Sequence, residues 1–364
     1  MIPIASPKLD QAEEKQILKV LESGMLAAGE QVENFQSEFA DFVGTERAIA
    51  VANGTCALDV AVKASDLSAG DKVITTAFTF IASSNALLFN DIEPVFVDID
   101  PETFNIDPEA VRKAAEEHPE AAGIMAVHLF GLLADMEEIM DIAAEHDLTV
   151  IEDAAQAHGA ALRGKKAGSF GDAGIFSFYP TKNMTTGEGG MIVTSDEEMA
   201  QKAARLINHG RSDHYKHEVL GYNYRMTDLA AAIGRKQLEK LPNFNQQRRR
   251  NALYLNHNLQ ELDWLKVPDV DKKYYHVYHQ YTVRVPADFR QDFIDHLEEK
   301  GVGSGIYYPR PLYRQPVYEK RGYGDMQLAE TEQACREVLS LPVHPGVSDE
   351  DLEQIAAAVR SFER

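Results

Sequence analysis

The chain has 364 residues, 44% of them apolar, more than a single compact core usually holds. Asp and Glu number 58 against 36 Lys and Arg, a net charge of −22, and a field of that sign sets nucleic-acid and membrane-surface roles aside. The two cysteines, Cys56 and Cys335, form no disulfide framework, and neither a leader pattern nor a membrane-length apolar run is visible, so a cytoplasmic protein is expected.

Taken in chain order, short apolar runs recur at 48–52, 72–76, 94–99, 123–128 and 148–153. Amphipathic segments separate them. In 135–146, Met136, Ile139, Met140 and Ala143 share one helical face. Apolar strands alternating with helices predict a mainly parallel sheet covered on both faces. Two more apolar runs, 174–178 and 189–194, lie a short loop apart, and a helix is expected over 197–207. A helix starting near Thr227 is expected to end around Leu241-Pro242-Asn243, which places a domain boundary near 245. Beyond it come a helix over 246–259, a strand over 280–285, a helix over 289–300 and a loop rich in Pro and Tyr. The expected architecture is a large α/β domain, 1–245, and a smaller α+β domain, 246–364.

Ligands of open parallel sheets bind beyond the carboxyl ends of the strands, and three features converge there. Asn53-Gly54-Thr55-Cys56 follows a strand and opens a helix, so the amides of Thr55 and Cys56 are placed to bind a phosphate. Taken alone, that segment is better explained as an ordinary N-cap. Asp153 ends the apolar strand over 148–152, where a carboxylate can keep a pyridine nitrogen protonated. A helix cap is the alternative there, and Gln156 follows three residues on. Ser177 ends another buried strand, and Lys182 comes five residues later, ahead of Thr185-Thr186-Gly187-Glu188-Gly189-Gly190. A lysine so placed is partly desolvated, and its neutral amine can attack an aldehyde. Most loop lysines are simply solvated. The glycine-rich turn argues otherwise, because it lets backbone approach a ligand closely.

The combined strings resemble the DegT/StrS-type sugar aminotransferases, fold-type-I pyridoxal-phosphate enzymes that act on nucleotide-linked keto-sugars. They are Asn53-Gly54-Thr55, Thr79-Phe80-Ile81-Ala82, the run 152–160, Phe176-Ser177-Phe178, the run 182–190 and Gly221-Tyr222-Asn223-Tyr224-Arg225. The resemblance continues into Tyr308-Pro309-Arg310-Pro311-Leu312 and Leu341-Pro342-Val343-His344-Pro345. It implies that Lys182 forms the imine with the cofactor and then moves the proton, and that Asp153 pairs with the pyridinium nitrogen. Phe80 is implied to stack on the ring and Gln156 to approach its phenolic oxygen. Ser177, with the amides of Thr55 and Cys56, is implied to hold the phosphate. Asn223 is implied to reach the phosphate in the neighbouring subunit, which makes a homodimer with two shared sites.

The implied partners are L-glutamate and a keto-sugar on UDP, dTDP or GDP, with Arg225, Tyr308 and Tyr313 as substrate contacts. The Tyr308-Pro-Arg-Pro loop favours members that aminate at the 3-keto position. Two positions depart from the pattern: Cys56 stands where Ala is common, and Tyr313 where many relatives place a pocket histidine. Related dehydratases carry histidine at the lysine position, and Lys182 argues against that reading. A regulatory protein without turnover is the third reading, and no basic patch supports one. His209, His214 and His217 read as a polar surface loop, and no metal is expected. Arg248-Arg249-Arg250 reads as a solvated helix face.

Overall fold

The computed structural model describes residues 1–363. Its centre is a seven-stranded sheet. Five strands come first in the chain: β1 (Arg47–Val51), β2 (Lys72–Thr76), β3 (Glu93–Val97), β4 (Ala121–Val127) and β5 (Thr149–Asp153). Strands Ala173–Ser177 and Gly190–Thr194 lie between β5 and β1, and the far side of β5 continues through β4 and β2 to β3 at the edge. Gly190–Thr194 runs antiparallel to both of its neighbours, and every other pairing is parallel. The expected mainly parallel α/β sheet is therefore present, with strand ends within about two residues of those read from the sequence.

Alternate residues of each strand serve opposite layers. Ile49, Val51, Met125, Ile175 and Ile192 pack under helices Gly54–Ala64, Ala82–Phe89 and Glu197–Leu206. Ala50, Ile124, Ala126, Phe176 and Val193 face the other layer, which includes helices Glu30–Val43 and Met136–His146. Phe39 anchors that second layer, with ring centroids 5.0 Å from Phe176 and 5.4 Å from Phe178. Each such pair adds roughly 0.5–1.5 kcal/mol beyond area burial. They fix the strand whose end carries Ser177.

The helix expected to stop at Pro242 does not. Asp228–Leu259 is one helix of 32 residues with Pro242 inside it. Proline removes one N–H from the ladder, but Pro242 lies on the exposed face. Leu238, Leu241, Phe244, Asn245 and Arg248 stay buried along the inner face, and that burial carries the helix past the break. Its first half packs against helices Gln11–Ser23 and Glu30–Val43, neither of which the apolar pattern announced. Its second half brings Ala252, Leu255 and Leu259 into a separate core. That core also holds Phe293, Leu297, Ile355 and the antiparallel pair Tyr281–Arg284 and Val338–Leu341. We propose that the two lobes divide within this helix near residue 245.

The arginine triplet is corrected by the same helix. Arg248 is buried and donates to the carbonyls of Tyr278 and His279, Arg249 is half-buried on the His276 carbonyl, and only Arg250 is exposed. One triplet thus meets three environments, as a helical period of 3.6 requires.

Candidate active site

The carboxyl ends of β5 and of Ala173–Ser177 lie side by side, and both end in a polar residue. Asp153 is only 5% exposed. Burying a carboxylate is costly unless donors meet it. Here Ser83 Oγ donates to Oδ2 at 2.7 Å and the Ala155 amide donates to Oδ1 at 3.1 Å. Beside it, helix Gly54–Ala64 starts directly against Ser177. A β-carbon on Gly54 would lie 2.7 Å from the Ser177 β-carbon, and one on Gly190 would lie 2.5 Å from the Asn53 carbonyl oxygen. Glycine at both positions makes this cup possible.

One expectation for the cup needs correction. The Cys56 amide is not free: it donates to the N-cap side chain, Asn53 Oδ1, at 2.9 Å. Among the described residues no acceptor takes the amides of Gly54 or Thr55. Those two N–H groups and the Ser177 hydroxyl therefore remain for an anion at the helix N-terminus.

Lys182 follows in a turn whose amide donates to the Tyr179 carbonyl at 2.9 Å. Its amine makes no hydrogen bond among the described residues. Burial lowers its pKa to about 8, against the opposing pull of Asp153. The next residue fixes the turn: Asn183 Nδ2 donates to Asn245 Oδ1 at 2.9 Å and to the Val277 carbonyl at 3.1 Å. His158, His279 and Arg248 lie behind Lys182. Burial pushes both imidazoles well toward the neutral form, and the nearby cationic groups add to that shift.

Gln156 is held in one orientation. Its Oε1 accepts from the Phe130 amide at 2.8 Å, so its Nε2 must point the other way, to the Tyr308 hydroxyl at 3.2 Å. Burial keeps the Tyr308 hydroxyl firmly protonated. The Phe80 ring lies 6.3 Å from that of Tyr308 and is 56% exposed, so it offers a face to a ligand. Arg225 stands opposite Val51, directly before the cup, and donates to Asn208 Oδ1 at 2.7 Å. Asn223 is exposed on the same segment.

Tyr313 lies elsewhere. It is fully buried beside Phe96 and Tyr318, and its hydroxyl donates to Glu332 Oε1 at 3.0 Å. The expectation that it lines the substrate pocket is withdrawn. His209, His214 and His217 are exposed around a short hairpin, Arg211–Asp213 with Lys216–His217. Sequence reading missed Ser83, Asn183 and the histidines behind Lys182.

Two unclaimed amides and a hydroxyl suit a phosphate, a buried carboxylate suits a protonated ring nitrogen, and a desolvated unbonded lysine suits an aldehyde carbon. The residues present therefore fit pyridoxal phosphate. Residues 7–360 match the DegT/DnrJ/EryC1/StrS aminotransferase family. The chain belongs to that family. Aminotransferases of this family depend on pyridoxal phosphate, and the chain shares that cofactor. It is 40% identical over 98% of its length to a "Pleiotropic regulatory protein" of Geobacillus stearothermophilus, of which 98% is covered. It is 39% identical to a "UDP-N-acetyl-3-dehydro-alpha-D-glucosamine 3-aminotranferase" of Acidithiobacillus ferrooxidans, over 94% of this chain and 91% of that one. A solved structure of NtdA from Bacillus subtilis, with bound cofactor PMP, superposes with a TM-score of 0.90 at 32% identity, over 97% of this chain and 82% of that one.

Proposed function

We propose that this aminotransferase moves an amino group from L-glutamate to a keto-sugar linked to UDP, dTDP or GDP, at the 3-keto position, in the assembly of amino-sugar glycans. The observation that carries the chemistry is Lys182: its amine is desolvated, unbonded and within the field of Asp153. The bound cofactor supplies an electron sink that holds the amino group between the two substrates.

The residues act around it as follows. Lys182 binds the cofactor covalently and, once released, moves one proton between the two carbon positions. Its lowered pKa puts it near working pH for both tasks. Asp153 keeps the ring nitrogen protonated. Gln156, its carbonyl pinned by Phe130, has one N–H left to donate to the ring's phenolic oxygen. Phe80 stacks on the ring, and Ser177 with the amides of Gly54 and Thr55 holds the phosphate. Asn223 reaches the phosphate of a partner subunit in a homodimer. Its exposure supports that reading. Arg225 and Tyr308 contact the nucleotide-linked substrate, where a diphosphate needs a cation.

The Tyr308-Pro-Arg-Pro loop and the name of the 39% identical relative support the 3-position. A panel of nucleotide-linked 3-amino and 4-amino sugars, run in reverse with the cofactor spectrum followed, tests it. Faster conversion by a 3-amino sugar is expected. Conversion by 4-amino sugars alone overturns the regiochemistry, and conversion by none overturns the substrate class. Glutamate must also convert the cofactor to its amine form. Failure with every amino donor would favour a regulatory protein.

A further inference from the structure

We propose that Ser83 is a positioning residue for the reaction, the middle link of a Thr79–Ser83–Asp153 hydroxyl chain that aims the Asp153 carboxylate at the cofactor's ring nitrogen. The inference rests on the reading of Asp153 given above.

Ser83 Oγ lies 2.7 Å from Asp153 Oδ2 and 3.1 Å from Thr79 Oγ1, and all three residues are buried. Ser83 has one hydrogen. The short contact to a charged acceptor takes it, in preference to the Phe80 carbonyl at 3.2 Å. Thr79 must then donate to Ser83, so the chain has one direction and ends on the carboxylate. The Ala155 amide occupies the other oxygen. A carboxylate accepts about four hydrogen bonds, so room remains for the ring N–H.

The serine is itself fixed. Helix Ala82–Phe89 is tied on its opposite side, where the Tyr318 hydroxyl meets Ser84 Oγ at 2.6 Å and donates to Asn85 Oδ1 at 2.9 Å. Adjacent serines thus have separate duties: Ser84 holds the helix to the loop around Tyr318, and Ser83 holds the carboxylate. The titratable groups facing Asp153 are Lys182 and Tyr308, with His158, His279 and Arg248 behind Lys182.

The consequence is electronic. Without the serine donor the carboxylate draws the ring proton toward itself. Asp153 would then support less of the electron-sink character that a bound cofactor supplies.

The test compares holoenzyme variants S83A, S84A and T79V. The pH midpoint of the lysine-bound cofactor's absorbance band is read together with kcat and KM. S83A should raise that midpoint by about 0.3–1 unit and lower kcat about tenfold with KM for glutamate little changed. T79V should move both the same way by less. S84A, equally buried, should lower thermal stability and leave the midpoint alone. A wild-type midpoint in S83A overturns the proposal, as does an equal shift in S84A. Should S83A not fold, an unshifted T79V has the same force. If the wild-type protein gains no lysine-bound band, the reading of the site fails instead, and the two failures are distinguishable.

Discussion

Gly54 and Ser177, which belong to different elements, are in such close contact that a β-carbon on Gly54 would sit 2.7 Å from the Ser177 β-carbon and 3.0 Å from its hydroxyl oxygen. This contact shapes the cup that we propose holds the phosphate, and it is the point of the cup most sensitive to an added atom. Gly54→Ala should keep the fold, because alanine suits a helix start, but must push Ser177 aside. Cofactor affinity, measured by titrating the apoprotein and following absorbance, should fall at least about tenfold, or 1.4 kcal/mol. Unchanged affinity would remove Ser177 from the phosphate site.

The lowered pKa of Lys182 has a thermodynamic counterpart. Its folded value is about 8, below the ordinary lysine value of 10.5. The folded state therefore binds this proton less tightly than the unfolded chain. The cost is fully present below pH 8 and fades as pH rises toward 10.5. In apoprotein, Lys182→Met should raise stability at pH 7 by about 1–2 kcal/mol after solvent screening. The advantage over wild type should shrink steadily between pH 8 and 10. Denaturant melts across that range check it, and a constant difference would contradict it.

Glu152, next to Asp153, has a structural role. Its fully buried carboxylate accepts the amides of Gly168, Phe170 and Gly171 and lies 2.8 Å from His128 Nε2. His128 Nδ1 accepts the Ala134 amide, which leaves the ring proton on Nε2 to face the carboxylate. Glu152→Gln turns an NH2 group toward those donors. It should cost about 3–5 kcal/mol in a denaturant melt and reduce holoenzyme yield. A loss under about 1 kcal/mol would show that the network relaxes around the amide.

We expect Tyr308 to separate the two half-reactions. Its hydroxyl contacts Gln156, while its Pro-Arg-Pro loop is exposed at Pro309 and Arg310. Tyr308→Phe should raise KM for the nucleotide-sugar by about three- to tenfold, with a smaller effect on the glutamate half-reaction. Single-turnover kinetics with each substrate distinguish the two. Equal losses in both would place the hydroxyl in the shared chemistry.

Asp153, Ser177 and Lys182 were legible in the sequence because each breaks a simple pattern. Two are polar ends of apolar strands, and the third precedes a glycine-rich turn. The strands were legible for a related reason: sheets buried on both faces leave unbroken apolar runs. What was hidden depends on partners distant in sequence or on local geometry. Ser83 lies 70 residues before Asp153, and nothing local marks their contact. The Cys56 amide was lost to Asn53 because an N-cap claims the third amide of its own helix. Pro242 misled because a helix breaker matters less on an exposed face than five buried neighbours do. Arg248 and Tyr313 misled because residue type alone does not tell which side of an element faces the core.

The central claim is that Lys182 carries the cofactor. Borohydride reduction of the holoenzyme, followed by digestion and peptide mass spectrometry, tests it most directly. A pyridoxyl adduct is expected on the peptide containing Lys182, with loss of both adduct and absorbance band in Lys182→Ala. An adduct on another lysine, or a band that survives in Lys182→Ala, would contradict it.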